Sequence, residues 1–130
     1  MSPIPRLKVY SGPVLLSYGF RPFFLFGAIY AALAILAWLP IFNSELALST
    51  AFGPIDWHVH EMLYGFLPAV VTGFLLTAIP NWTGRLPIQG TPLLILFTVW
   101  LGGRVAVTFS AEIGWLLAAI FDVSFLVLVV

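Results

Sequence analysis

Two long stretches of this chain contain no charged residue, and this feature limits the fold more than any other. The first runs from Pro22 to Ser44 and the second from Met62 to Gly84. A helix rises about 1.5 Å per residue, so about 20 helical residues cross a hydrocarbon core of about 30 Å. A helix also satisfies its own peptide groups in lipid, where no water can do so. The chain is therefore predicted to span a membrane.

The remaining apolar sequence predicts two further spans. The predicted helices cover about residues 23–42, 60–80, 93–109 and 113–130. Hydrophobic residues make up 62% of the chain and charged residues only 8%, which leaves no material for a separate soluble domain. We therefore predict an all-α fold, a polytopic transmembrane helix bundle of about four spans that forms a single membrane domain over residues 1–130 and has the lipid bilayer as its partner.

The end of the chain is still apolar. The last residues read FLVLVV, and no polar or basic residue closes the fourth predicted helix. We therefore expect the chain to be truncated at its C-terminus and to be a fragment of a larger bundle. The remaining helices of the full-length protein would then be its partners.

Composition excludes several classes of function. The chain has no cysteine, so these residues form no disulfide, iron–sulfur cluster, covalent haem attachment or thiolate metal site. Five basic and five acidic residues give a net charge of zero. A neutral chain offers no basic surface, so nucleic acid is not an expected partner.

The distribution of basic residues predicts the orientation in the membrane. Those outside the helices precede the first helix or lie between the second and third: Arg6, Lys8, Arg21 and Arg85. The other two connections carry only acidic residues: Glu45, Asp56 and Glu112. Basic residues accumulate on the cytoplasmic side, so the N-terminus is predicted to be cytoplasmic. The segment with the histidines then lies on the outer side.

Both histidines of the chain lie in the segment DWHVHEM, Asp56 to Met62, at the start of the second helix. Asp56 is predicted to be the N-cap, whose carboxylate accepts from the first free N–H groups. At about 100° per residue, His58 and Glu61 share one side and His60 points nearly the opposite way. A helical start thus offers one axial imidazole for haem, which Glu61 could orient.

An extended start would give a different site. A period of two puts His58 and His60 on the same side, as a chelating H-x-H metal site requires. A third interpretation needs no ligand, because histidine, tryptophan and aspartate are ordinary residues at a membrane interface. The pattern alone leaves these interpretations open.

Small residues follow the histidines at four-residue spacing along the second helix: Gly65, Ala69, Gly73 and Thr77. Such a seam lets a neighbouring helix approach closely. His58 and Glu61 lie on the same side as the seam and are expected to face the bundle. Pro68 is expected to bend this helix, because proline frees a carbonyl one turn earlier.

Arg104 and Asp122 are ionisable residues deep in the third and fourth helices. Arg104 lies eight residues before Glu112 and Asp122 ten residues after it. In an antiparallel hairpin their depths differ by only about 3 Å, so we predict a buried ion pair. The guanidinium of Arg104 also suits a carboxylate such as a haem propionate. Alternatively, the two residues form a polar path for a transported solute.

Four strings of the sequence resemble the NnrS family of bacterial inner-membrane proteins. They are GFRPFFLFG (Gly19–Gly27), WHVHEMLYGF (Trp57–Phe66), GFLLTAIPNWTG (Gly73–Gly84) and GGR (Gly102–Arg104). The resemblance runs in the same order over most of the chain. It implies a multi-pass protein of the bacterial inner membrane that is associated with haem and copper, with denitrification and with nitrosative stress from nitric oxide.

The resemblance also implies roles for individual residues. His58 and His60 match the paired histidines and become metal or haem ligands, with Glu61 as their supporting carboxylate. Arg21 and Arg104 match the family's arginines and become cofactor-binding residues. From composition alone, Arg21 would only snorkel to lipid phosphate.

The sequence supports three functions. The first is an NnrS-like haem- and copper-associated membrane protein that acts in nitric oxide response and denitrification. The alternative is a small-solute or ion transporter with Arg104 and Asp122 as its polar path, and the third is a purely structural role. No reaction or redox partner can be assigned from these residues, so we lean against an enzyme.

Overall fold

The computed structural model describes residues 10–130, so Arg6 and Lys8, on which the predicted orientation partly depends, lie outside the described residues. Helices account for nearly all of the regular structure in this range. The four main helices are α1 (Phe20–Phe42), α2 (Pro54–Thr83), α3 (Thr91–Thr108) and α4 (Trp115–Val129). A short 3-10 helix, Val14–Leu16, precedes α1, and a helical turn, Ser110–Ile113, joins α3 to α4. The all-α fold class is confirmed.

The helices have the length and composition of membrane spans. Helices α1, α2 and α3, of 23, 30 and 18 residues, are long and apolar enough to cross a membrane. Helix α4 is equally apolar but has only 15 residues. Large apolar side chains cover the outside of the bundle, among them Leu33, Leu36 and Leu116. Such a surface suits lipid, and the chain is a membrane protein with three to four apolar helices.

Helix α2 begins earlier than the predicted residue 60. Gly53 is its N-cap in an extended conformation (φ −65°, ψ 163°), and Pro54 occupies the first helical position. Proline suits that position because its missing N–H would have no partner there. Asp56 is therefore not the N-cap, as we had expected, but a residue of the first turn that makes no capping hydrogen bond. Its negative charge still lies near the positive end of the helix.

The seam of small residues packs against α1. Gly65, Ala69 and Gly73 are all buried. A Cβ atom added to Gly73 would come within 2.8 Å of the ring of Phe24, and one added to Gly27 would lie 3.4 Å from Cβ of Ala69. The two helices approach closely because Gly27 meets Ala69 with small residues on both sides, and because Gly73 leaves room for the ring of Phe24.

Helices α3 and α4 form an antiparallel hairpin that packs against α1 and α2. A Cβ atom on Gly103 would lie 3.2 Å from Cα of Asp122, so the hairpin is tight at the depth of that carboxylate. One turn away, an aromatic cluster of Phe23, Trp100 and Phe125 fills the centre of the bundle. The hairpin therefore brings its polar residues into the protein and not into lipid.

One segment of α2 is not an α-helix. Glu61–Phe66 forms a π-helical turn just before Pro68, whose missing N–H cannot continue the regular pattern. The indole nitrogen of Trp100 donates to the carbonyl of Gly65 at 2.9 Å and so satisfies an acceptor within this turn. A π-turn holds one residue more than an α-turn and rotates the preceding segment by about 100°.

Candidate functional site

Four side chains form a closed ring of hydrogen bonds in the interior. Nδ1 of His60 lies 3.1 Å from Oε1 of Glu61, and Oε2 of Glu61 accepts from Nη1 of Arg104 at 2.8 Å. Nη2 of Arg104 donates to Oδ1 of Asp122. The ring closes where Oδ2 of Asp122 lies 3.1 Å from Nε2 of His60. Carboxylates thus alternate with nitrogen donors around it.

Three of the main helices contribute to this charge ring, which we define as His60, Glu61, Arg104 and Asp122, and the fourth supports it. Helix α2 provides the first two residues, α3 provides Arg104 and α4 provides Asp122. From α1, the hydroxyl of Tyr30 donates to Oε2 of Glu61. The charge ring is therefore a polar contact between helices that otherwise contact one another through apolar side chains.

Three of the four residues of the charge ring are buried, and the fourth, His60, is partly exposed. Glu61 is 0%, Arg104 3% and Asp122 6% exposed. Buried charges are costly unless each finds partners of the opposite sign with good hydrogen-bond geometry. A protonated His60 would donate from both nitrogens, and the two positive and two negative groups would then cancel. Among the polar side-chain atoms of the charge ring, Nε of Arg104 is buried without a hydrogen-bond partner.

A glycine makes room for the arginine. A Cβ atom on Gly65 would lie 2.5 Å from Nη1 and 3.1 Å from Cδ of Arg104. No side chain fits there unless the guanidinium moves. The small-residue seam therefore has two uses, since Ala69 and Gly73 receive α1 and Gly65 receives the arginine of α3.

The ion pair between Arg104 and Asp122 confirms what the depth count predicted. The sequence analysis did not predict that Tyr30 bonds to Glu61 of the charge ring. One feature could have indicated this bond. Tyr30 places a phenol in the middle of a charge-free stretch, and a buried hydroxyl needs a hydrogen-bond partner. Glu61 was expected to face the bundle and does so.

His58 and His60 do not have the expected neighbours. His60, and not His58, shares the interior with Glu61, so the prediction that His60 points away from the bundle is wrong. The π-turn is the physical reason. In an unbroken α-helix, Glu61 would lie in line with the seam, four residues before Gly65. The π-turn has a spacing of five residues, so His60, five residues before Gly65, takes that position.

His58 packs against the end of α1. Its ring stacks on the indole of Trp38, with centroids 4.4 Å apart and planes 24° apart. The indole nitrogen of Trp38 donates to the carbonyl of Pro54 at 3.1 Å, which anchors the stack to the first turn of α2. Nδ1 of His58 is buried and has no hydrogen-bond partner. This imidazole is thus held in orientation and retains an unused nitrogen.

The two histidines differ in their fitness as ligands of haem or copper. The segment that carries them is helical, so the extended H-x-H arrangement is not formed. His58 fits as a single imidazole ligand because one of its ring nitrogens has no partner. His60 fits poorly while both of its nitrogens bond to carboxylates. The described residues contain no group of three histidine or acidic side chains arranged to hold a metal ion, so a metal at His58 would need ligands from elsewhere.

The two arginines predicted to bind a cofactor lie in different places. Both terminal nitrogens of Arg104 already bond to carboxylates of the protein. The guanidinium therefore does not fit a haem propionate in addition to these partners. Arg21 lies nine residues before Tyr30, about 14 Å along α1. Its Nη1 donates to the carbonyl of Val14, and its guanidinium packs near the ring of Tyr18. Arg21 therefore does not contact the histidines or the charge ring.

A cavity of about 510 Å³ adjoins the charge ring. His60 and Asp122 form part of its wall, and most of the other lining residues are apolar or aromatic. The lining residues are Ala51, Phe52, His60, Tyr64, Val107, Ser110, Trp115, Ala118, Ala119, Asp122 and Val123. We refer to this space as the α2–α4 cavity.

The connection between α1 and α2 covers one end of this cavity. The hydroxyl of Thr50 donates to the carbonyl of Val107 at 3.0 Å, and the amide of Ala51 donates to Oγ of Ser110 at 2.8 Å. The amide of Ala111 also donates to the carbonyl of Ser49 at 2.8 Å. These bonds fix the connection to the turn between α3 and α4.

Comparison with known proteins gives one family. A family model described as "NnrS protein" matches residues 14–130, a range that contains both histidines, Tyr30 and the whole charge ring. No curated protein matches the chain, and no solved structure does.

Proposed function

Because the chain belongs to the NnrS family, we propose that it forms part of a haem- and copper-associated membrane protein that acts in nitric oxide response and denitrification. The match covers nearly the whole chain and all of the residues of the candidate site. We assign no reaction and no redox partner to it. The proposal concerns the group that is bound and the residues that hold it.

The observation that carries the proposal is the unused ring nitrogen of His58. Nδ1 of His58 has no hydrogen bond that an iron or copper ion would have to displace, and stacking on Trp38 fixes the plane of the ring. Haem or copper bound there would supply a coordination position for a small ligand such as nitric oxide. His60 remains the second candidate, because ligation by it requires release from Glu61 or Asp122.

In this proposal the charge ring positions His58 from a distance. The ring fixes the start of α2 through His60 and Glu61, next to the turn that carries His58. Trp38 fixes the same turn from α1. Two independent attachments thus hold the imidazole, as is usual for ligands whose orientation determines the properties of a metal.

We also propose a location in the bacterial inner membrane with the N-terminus in the cytoplasm. Arg21 and Arg85 lie at one end of the bundle, whereas Glu45 and Glu112 lie in connections at the other end. This asymmetry supports the orientation. Reporter fusions after Asn43 and after Arg85 test it, since a cytoplasmic first fusion and an external second one would overturn it.

The experiment that tests haem and copper binding is an optical spectrum, with metal analysis, of the protein purified from membranes in mild detergent. We expect a Soret band, together with copper, and loss of one of these signals in His58→Ala. Asn81→Ala, in the exposed final turn of α2, is the matched control and should change neither. A protein free of haem and copper overturns the proposal, and loss of both signals only in His60→Ala moves the ligand assignment to His60.

The transporter alternative has less support from the geometry. Arg104 and Asp122 bond to each other and to Glu61 and His60, so neither offers a free charge to a passing solute. Solute uptake by vesicles that contain the protein, with no haem or copper in the purified sample, would favour transport.

A further inference from the structure

The wall of the α2–α4 cavity beside the charge ring is aromatic. The ring of His60 stacks on Tyr64, with centroids 5.1 Å apart and planes 19° apart, and the ring of Phe52 lies tilted against His60 with centroids 4.9 Å apart. Trp115 faces the same space from the start of α4. A wall of this kind favours a planar ring as ligand, because flat π surfaces pack well on one another.

Asp122 provides the polar end of the cavity. An ionised carboxylate has about four acceptor positions, and Asp122 uses two of them, for Arg104 and for His60. Both nitrogens of His60 are occupied, and Oγ of Ser110 already accepts from the amide of Ala51. Among these three lining residues, Asp122 therefore has the largest free capacity, two acceptor positions for a hydrogen-bond donor, and an ionised carboxylate is a stronger acceptor than the hydroxyl of Ser110.

The cavity is accessible from the lipid-facing surface. Tyr64, Trp115 and Val123 line it, yet each is also exposed on the outside of the chain. The volume of about 510 Å³ lies within the range of about 300–1,000 Å³ that is common for small-molecule sites. A ligand that enters here comes from the bilayer and is itself largely apolar.

We propose that the α2–α4 cavity binds the head group of a membrane quinol, a neutral aromatic ring with hydroxyl groups. The ring packs against His60 and Tyr64, and one hydroxyl donates to a free acceptor position of Asp122. The apolar tail of the quinol leaves between α2 and α4 into lipid. This inference goes beyond the proposed function, because it involves neither the unused nitrogen of His58 nor a bound metal.

Binding of three probes to the full chain in lipid nanodiscs tests the chemistry. The probes are a decyl-substituted benzohydroquinone, its dimethyl ether and decanol. The ether keeps the ring but has no hydroxyl donor, and decanol keeps a donor and a tail but has no ring. We expect the hydroquinone to bind at least tenfold more tightly than either, because only it can both pack against the aromatic wall and donate to Asp122.

Substitutions locate the site. Ala119→Leu fills the cavity without changing the charge ring and should weaken hydroquinone binding at least tenfold. Leu116→Phe adds bulk to an exposed position of the same helix that does not line the cavity, and should leave binding unchanged. Thermal unfolding of both variants verifies that they fold.

Equal affinity for the three probes would mean that the cavity accepts any lipid chain and would overturn the inference. Unchanged hydroquinone binding in Ala119→Leu would overturn it as well, by placing the probe elsewhere. The optical spectrum and metal content of the same samples report on His58 separately. If the unsubstituted protein carries haem but does not bind the hydroquinone, this inference alone is overturned. If it binds the hydroquinone but carries neither haem nor copper, the proposed function alone is overturned.

Discussion

Nε2 of His60 lies 3.1 Å from Oδ2 of Asp122, and this contact joins the start of α2 to the middle of α4. Without it, Arg104 would connect Glu61 to Asp122 in an open chain. With it, every oxygen of both carboxylates has a nitrogen partner. The closed arrangement explains how four ionisable side chains are accommodated inside an apolar bundle.

Replacing Arg104 with Met should strongly destabilise the protein. The change leaves Glu61 and Asp122 buried without their shared cation, and breaking a buried ion pair costs about 3–5 kcal/mol. Thermal or chemical unfolding in detergent measures the loss. Arg85→Met, in an exposed connection, is the control and should have little effect. Equal stability of the two variants would show that the charge ring contributes nothing to stability.

Replacing Gly65 with Ala should destabilise the protein by about 1–3 kcal/mol, because the new methyl group overlaps the guanidinium of Arg104. Gly102→Ala is the matched control, since a Cβ atom there has no neighbour within 4 Å. Alanine is preferred over glycine inside a helix by about 0.5–1 kcal/mol, so this control should be neutral or stabilising. The expected result is opposite signs for the two variants in one unfolding assay.

Replacing Tyr30 with Phe removes a hydroxyl that donates to Glu61 and little else. A hydrogen bond to a charged group contributes about 1.5–3 kcal/mol, so a loss in that range is expected. Tyr18→Phe, near the start of α1, changes the same chemical group outside the charge ring and should cost less. If the two phenylalanine variants unfold at the same temperature, the Tyr30 hydroxyl has no special role.

Replacing Ser110 with Ala should loosen the connection that covers the α2–α4 cavity. The amide of Ala51 loses its acceptor, and Thr50 loses one of its partners. A loss of about 1.4 kcal/mol corresponds to tenfold faster local opening, which hydrogen exchange at the Ala51 amide measures. Ser124→Ala, whose hydroxyl bonds only to the carbonyl of Phe121 within its own helix, should leave that exchange rate unchanged.

Counting along the chain was enough to pair Arg104 with Asp122. Both lie on one hairpin, so their relative depth depends only on the helical rise and on the position of the turn at Glu112. The seam at Gly65, Ala69 and Gly73 was predictable for a similar reason, since a spacing of four residues needs no knowledge of the partner helix. These features follow from local geometry alone.

The neighbours of the two histidines were not predictable in this way. Periodicity assumes a regular α-helix, and the π-turn at Glu61–Phe66 adds one residue that rotates the preceding segment by about 100°. Pro68 predicted that the helix would be irregular, but it did not predict that the irregularity would be a π-turn. The hydrogen bond that satisfies the turn comes from Trp100 on α3, which is distant in sequence.

Hydrophobicity and residue spacing alone therefore predict an apolar helical membrane protein, a hairpin of α3 and α4 with a buried ion pair, and a resemblance to the NnrS family. Tertiary structure decided that His60 and not His58 enters the charge ring, that Tyr30 supports Glu61, and that a cavity lies beside Asp122. The division has a physical cause. Hydrophobicity and helical rise are properties of one segment, whereas a closed ring of hydrogen bonds requires three helices to meet at the same depth.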